Sequence, residues 1–193
     1  MAATIVKKAD AAGKVHMGIS EIYAVVGGFD VTAGAVDLSK VAKILNYPVE
    51  QGSFNYNGGT PSINHFHVYG QTADWASSMT PGDSTIEFNV PTYETNVLES
   101  LGFAQNALEV QGAGDIPSLK GKSFAQTQKA IHLGLIGVSE DGTSAVFIKN
   151  TKVYATVMND DSNKPLYVKV SGSLADGGDP ASMAILEPAA AGA

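Results

Sequence analysis

The 193-residue chain has no cysteine, and all twelve of its basic residues are lysine, so arginine is missing too. Without thiols there is no disulfide, no thiolate metal site and no cysteine nucleophile. Without guanidinium groups there is no bidentate recognition of phosphate, carboxylate or guanine edges. Charge of either sign is scarce, at 16% of positions, and nineteen acidic residues set a formal net charge of −7. A nucleic-acid grip by counterion release needs a basic patch, which neither the net charge nor the lysine spacing supplies. Specific binding of DNA or RNA is excluded on these grounds, while passive coexistence with a polyanion is not.

Long apolar runs are also missing. The longest, Ile22–Phe29 and Ala130–Val138, hold about nine residues or fewer and include Gly or His, against the ~20 that span a bilayer. Met1–Lys14 carries Lys7 and Lys8 without an apolar stretch of signal-peptide length, and no Asn-x-Ser/Thr acceptor occurs. The expectation is a soluble protein that is not exported and has no membrane partner. Twenty-one Gly, eight Pro and the low charge argue against a helical bundle. Apolar residues make up 44% of the chain and are spread along its length, which argues against disorder.

What is present reads as short strands punctuated by Gly and polar turns, in one domain over residues 1–193 with an arm at Met1–Lys14 and a tail at Glu187–Ala193. Ile19–Val26 is the first expected strand, ended by Gly27-Gly28. Leu38–Leu45 has helical spacing (38, 41, 42, 45) with Asp37 placed to cap it. Gly52–Tyr56 and Ser62–Gly70 are expected to pair as a hairpin around Asn57-Gly58-Gly59-Thr60-Pro61. Thr80–Asp83 turns, and Ser84–Val90 alternates strictly, with Ile86, Phe88 and Val90 on one face. The period then changes: Tyr93, Val97, Leu98 and Leu101 make one helical face, with Thr92 able to cap its start and Gly102 fitted to its C′ position. Further strands are expected at Ala104–Gln111, Gln128–Val138, Ala145–Ile148, Lys152–Met158, Leu166–Leu174 and Ala181–Leu186. A surface loop is expected at Gly112–Gly121, and a hairpin turn at Ser139–Thr143 through its Asp-Gly pair.

Chemical motifs are few. His65-Phe66-His67 puts two imidazoles on one strand face, a spacing used by metal sites, but two surface histidines flanking an apolar residue are the plainer reading. Asp160-Asp161 with Asn163 resembles a fragment of a calcium loop, yet Lys164-Pro165 stands where the glycine turn is needed. No Gly-x-Ser-x-Gly elbow, phosphate loop or dinucleotide fingerprint occurs, and Gly112-Ala-Gly114 opens no helix. Trp75 with Tyr56, Tyr69 and Tyr93 could stack on a sugar, although aromatics on strands serve more often as core or interface residues. The chain is therefore expected to lack catalytic residues, a cofactor and a bound metal.

The order of the pieces is more telling than any one of them. A strand at Thr85–Val90 leads through Pro91-Thr92-Tyr93-Glu94 into a short helix closed by Leu101-Gly102-Phe103. Strands at Lys149–Thr156 and Leu166–Gly172 follow. This order resembles the major tail tube proteins of tailed bacteriophages, and the resemblance runs from about Gly18 to Leu186. It implies a mainly β, sandwich- or barrel-like domain with one short flanking helix. It also implies that copies join their sheets into rings, with six as the expected number, and that the rings stack into a tube. Partners would be the chain itself and tape-measure, tail-terminator and baseplate or tip proteins. DNA would pass through unbound, and the protein would reside in the virion tail after assembly in the host cytoplasm. A ring of six would carry a charge of −42, six times the −7 of one chain. Together with the composition, the resemblance points to Asn57, Gly58, Gly59 and Thr60, and to Ile5 and Val6 of the arm, as contacts between copies. The rival expectations are another virion β protein, such as a head-decoration protein, and a carbohydrate-binding sandwich.

Overall fold

A computed structural model of the chain describes residues 18–70, 72–92, 94–103, 105–124, 128–159 and 165–187. The Met1–Lys14 arm with Ile5 and Val6, Tyr93, the Asp160–Lys164 loop and the tail after Glu187 lie outside the described residues. The fold is mainly β, antiparallel throughout the described pairings, with one short helix. Its strands are β1 Ile19–Val26, β2 Leu45–Pro48, β3 Asn55–Asn57, β4 Ser62–Phe66, β5 Ala76–Thr80 and β6 Thr85–Val90, followed by helix α1 Thr95–Ser100. Then come β7 Gln105–Val110, β8 Leu119–Phe124, β9 Ile131–Ser139, β10 Ala145–Met158, β11 Tyr167–Leu174 and β12 Met183–Leu186.

Eight strands make one sheet in the order β2-β1-β9-β10-β11-β6-β3, with β12 also pairing to β10. β10 is its longest strand and holds two partners in succession along one edge, β12 at Ala145–Ile148 and β11 at 151–158. On its other edge β10 pairs with β9, where Ile148 faces Leu135 but Thr151 faces Leu133. Three steps on β10 thus match two on β9, a bulge at Lys149 and Asn150 that re-aims the strand between its partners. The segments expected separately at Ala145–Ile148 and Lys152–Met158 are one strand for this reason.

Residues 45–57 run from one edge of the sheet to the other. β2 pairs with β1, the Glu50 amide donates to the Asn89 carbonyl at 3.0 Å, and β3 pairs with β6. The Asn89 side-chain amide donates to the Glu50 carboxylate at 2.7 Å, and its backbone N–H donates to the Ser53 hydroxyl at 3.1 Å. The sheet is drawn around a core of Ile22, Tyr47, Ile86, Phe88, Leu133 and Val153, with Val97, Leu98 and Leu101 of α1 packed into it. The Tyr47 phenol, at 0% exposure, meets the Ser100 hydroxyl at 2.6 Å under the helix, and burial pushes its pKa up to about 12.

The helix expected from Tyr93 begins at Thr95. The Thr92 hydroxyl accepts from the Glu94 amide ahead of the helix instead of capping a helical N–H. Its C-terminus matches the expectation: Gly102 takes φ +83°, its N–H reaches the Glu99 carbonyl, and the Phe103 N–H reaches Leu98. That is the double hydrogen bond of a Schellman motif. The helix expected over Leu38–Leu45 is a single 3₁₀ turn, Leu38–Lys40. Asp37 does cap it, accepting from the Ser39 amide, but the chain is extended by Val41, and Leu45 already belongs to β2. Sheet pairing has overruled a helical pattern too short to stand alone.

The hairpin expected across Asn57–Pro61 does not form. β3 joins β6, whereas β4 pairs with β5 in a separate two-stranded ribbon. The Asn57 side chain accepts from the Gly59 amide at 3.0 Å, and this local turn diverts the chain out of the sheet. The loop expected over Gly112–Gly121 is also shorter, because its last residues belong to β8, the partner of β7 in a second ribbon. The last long strand begins at Tyr167, which is buried, while Leu166 stays outside and exposed.

Leu101 is 2% exposed at the end of α1, so Leu101→Ala should cost about 2–5 kcal/mol. Urea denaturation followed by circular dichroism measures this, and a loss below about 1 kcal/mol would place Leu101 outside the core.

Candidate assembly surface

Both ribbons stand apart from the packed sheet. Every residue of β4 and β5 is exposed, including Ile63, Phe66 and Met79. In the second ribbon Leu108, Val110 and Leu119 are exposed at 53%, 46% and 54%. The register puts Val110 opposite Leu119, with Leu108 two residues before Val110, so these three share one face. Glu109 and Lys120 pair at 3.0 Å on the opposite face. An isolated two-stranded ribbon is at best marginally stable in water, so each of these needs something to lie against.

The sequence pattern around Asn57–Thr60 forms the root of the first ribbon. A Cβ on Gly59 would come within 2.6 Å of Gly82 and Asp83 backbone atoms, and one on Gly82 within 2.6 Å of Thr60. Only bare backbone fits where the outgoing and returning chains pass. Gly59 is therefore a close-packing residue, and Asn57, Gly58 and Thr60 are exposed beside it. Further out, Asp74 is flanked by both histidines of the His65-Phe66-His67 pattern. His65 Nδ1 meets one carboxylate oxygen, and His67 Nδ1 lies 3.5 Å from the other. Among the described residues no group of three or more His, Asp or Glu side chains is disposed to hold a metal ion.

The candidate stacking aromatics do not form one platform. Tyr56 packs against the core from β3, whereas Tyr69 and Trp75 are exposed near the outer end of the first ribbon. Tyr93 lies outside the described residues.

A third surface lies on the outer face of the sheet, where residues 29–44 fold over β1, β9, β10 and β12. Phe29 packs on Phe147 with ring centroids 5.2 Å apart, and Val25 completes this small outer cluster. On either side of Leu38 the cover is incomplete. One hollow of about 500 Å³ reaches Ile44 and Val138, and another of about 420 Å³ reaches Phe147 and Leu186. Both are lined by Leu38 and Ile136, so they form one apolar trough. Sequence reasoning missed it because Leu38 and Ile44 were assigned to a helix. It missed the second ribbon because a Gly/Pro-rich stretch concealed where β8 starts.

Two carboxylates brace the turns of the sheet. Asp141 accepts from the Ser139 hydroxyl at 2.6 Å and from the Thr143 hydroxyl and amide at 2.7 and 3.1 Å, which hold its pKa down at about 2. Asp179 is lowered by its 2.6 Å contact with the Lys149 ammonium and by the Ala181 amide, and Lys149 is raised by the same contact.

Compared with known proteins, the chain matches no family model and no curated sequence.

A carboxylate whose pKa is lowered on folding adds stability above its ordinary value and loses it as the pH falls through the folded value. For Asp141 that window runs from its ordinary 3.8 down to about 2. The urea midpoint of the protein should therefore fall across this range, and Asp141→Asn should flatten the fall while lowering the midpoint at pH 7. An Asp141→Asn variant with the wild-type acid profile would exclude the turn as its source.

Proposed function

We propose that the chain is a structural subunit that assembles with copies of itself into rings stacked as a tube, in the manner of tailed-bacteriophage tail tubes. The observation carrying this reading is the pair of two-stranded ribbons projecting from a closely packed sheet with their apolar side chains exposed. One copy has no surface that covers them, and neighbouring copies do. Joined sheets would form the wall of the bore, and the first ribbon, from its root at Asn57–Thr60 outward, would reach the next ring. An acidic, arginine-free wall suits DNA that must slide without adhering, because it offers no phosphate fork and few counterion-releasing contacts. In this reading the ends of the tube meet tape-measure, terminator and baseplate or tip proteins. The protein belongs to the virion tail after assembly in the host cytoplasm, and it performs no catalysis.

Sedimentation and negative-stain imaging of the purified full chain over a range of concentrations test the reading. Rings or tubes are expected, and a monomer at every concentration up to millimolar would overturn it. Replacing residues 63–79 with a two-residue turn should leave the melting temperature within a few degrees of wild type and abolish stacking. Tubes of normal length from that variant would remove the first ribbon from the contact.

A further inference from the structure

We infer that the β7–β8 ribbon of one copy inserts into the apolar trough beside Leu38 of the next copy, with Asp115 of the first meeting Lys43 of the second. This rests on the self-assembly reading and specifies one of its contacts. Three features on the molecule support it.

The first is chemical complementarity. The ribbon presents Leu108, Val110 and Leu119 on one face, and the trough presents Leu38, Ile44 and Ile136. The second is size. Six cross-strand pairs make a strip about 20 Å long and about 10 Å wide, roughly 200 Å² of footprint, whereas a stable contact needs about 800 Å² of accessible surface on each partner. A strip so narrow gains enough contact only in a concave site that meets its flanks as well as its face. Within one chain the trough is such a site for an apolar strand pair.

The third is charge. Around the trough Lys40 is paired with Asp37 at 3.3 Å, and Glu21 accepts hydrogen bonds from Tyr23 and Asn46. Lys43, next to Ile44 at the rim, is exposed and has no partner among the described residues. On the ribbon Glu109 and Lys120 neutralise each other, while Asp115, in the turn between the bridged Ala113 and Ile116, is exposed and equally unpartnered. An unpaired acid at the ribbon tip and an unpaired base at the trough rim select one direction of insertion. Because ribbon and trough are different surfaces, the contact is heterologous and propagates from copy to copy until a ring closes.

A charge swap tests this on the full chain at low salt, with assembly read by sedimentation. Lys43→Glu and Asp115→Lys should each raise the concentration at half-assembly about tenfold. The double variant should return to within about threefold of wild type, and so should an equimolar mixture of the two single variants. Leu119→Asp should prevent ring formation with no rescue by either swap. All these positions are exposed, so unchanged thermal melts are the control for folding. Wild-type rings joined by single variants that assemble normally, or a double variant that stays defective, would overturn the contact and leave the self-assembly reading standing. A two-copy species that stops growing would show ribbon meeting ribbon, which also overturns it. A wild-type chain that never assembles would instead defeat the functional reading beneath it.

Discussion

The bulge at Lys149 and Asn150 is the constraint around which the rest of the chain is arranged. A strand of fourteen residues can serve two consecutive partners on one edge only if it changes direction between them, and the extra residue supplies that change. A bulge frees backbone groups from the ladder, and distant segments recruit each of them. The Lys149 N–H donates to Ser182, its carbonyl accepts from Phe29, and the Asn150 carbonyl accepts from Ala175. The buried Thr151 hydroxyl donates to the Leu133 carbonyl at 2.8 Å across the same irregularity. Loop 29–44, the 175–182 turn and strands β11 and β12 are thus tethered to one place. Unpaired groups buried there would each cost about 1–3 kcal/mol, which is why the segments cannot easily be moved independently.

The parts of the fold visible in the sequence are those whose determinants are local. Ile86, Phe88 and Val90 alternate and are buried as expected, and β1 has the expected bounds. Gly102 closes the helix, and the Asp-Gly turn joins β9 to β10, because a C′ glycine and a turn residue act over four or five positions. What stayed hidden depends on partners far along the chain. Asn57-Gly58 has the composition of a hairpin tip, but β6, some thirty residues later, outcompetes β4 for β3. Leu38, Val41, Ala42 and Leu45 have helical spacing, yet Tyr47 must reach the core and carries Leu45 into a strand. The candidate surface was legible only in outline. His65 and His67 were singled out, but not Asp74 between them, and the second ribbon could have been suspected from the alternation of Leu108, Glu109 and Val110.

Stability and exposed apolar surface are separated in this molecule. The sheet, laced at its edges by Glu50, Ser53 and Asn89, holds the buried aliphatic and aromatic residues. The ribbons hold Ile63, Phe66, Met79, Leu108, Val110 and Leu119 in the open. A monomer with a self-sufficient core has no need of these side chains for folding, so they are free to define which copies meet and how.

The two ribbons also differ from the sheet in when they can form. The pairing of Ile19 with Ser139 waits for 120 residues of chain, about 6–24 s of synthesis at 5–20 residues per second. Ser62 meets Thr80 after eighteen residues and Gln105 meets Phe124 after nineteen, so both ribbons can close while β1 still has no partner. The adhesive parts of the molecule therefore precede the domain that is meant to space them. On a polysome, where nascent copies sit side by side, premature association would begin at the ribbons. The glycines and short polar residues interleaved along them keep each early apolar patch small until the sheet has formed.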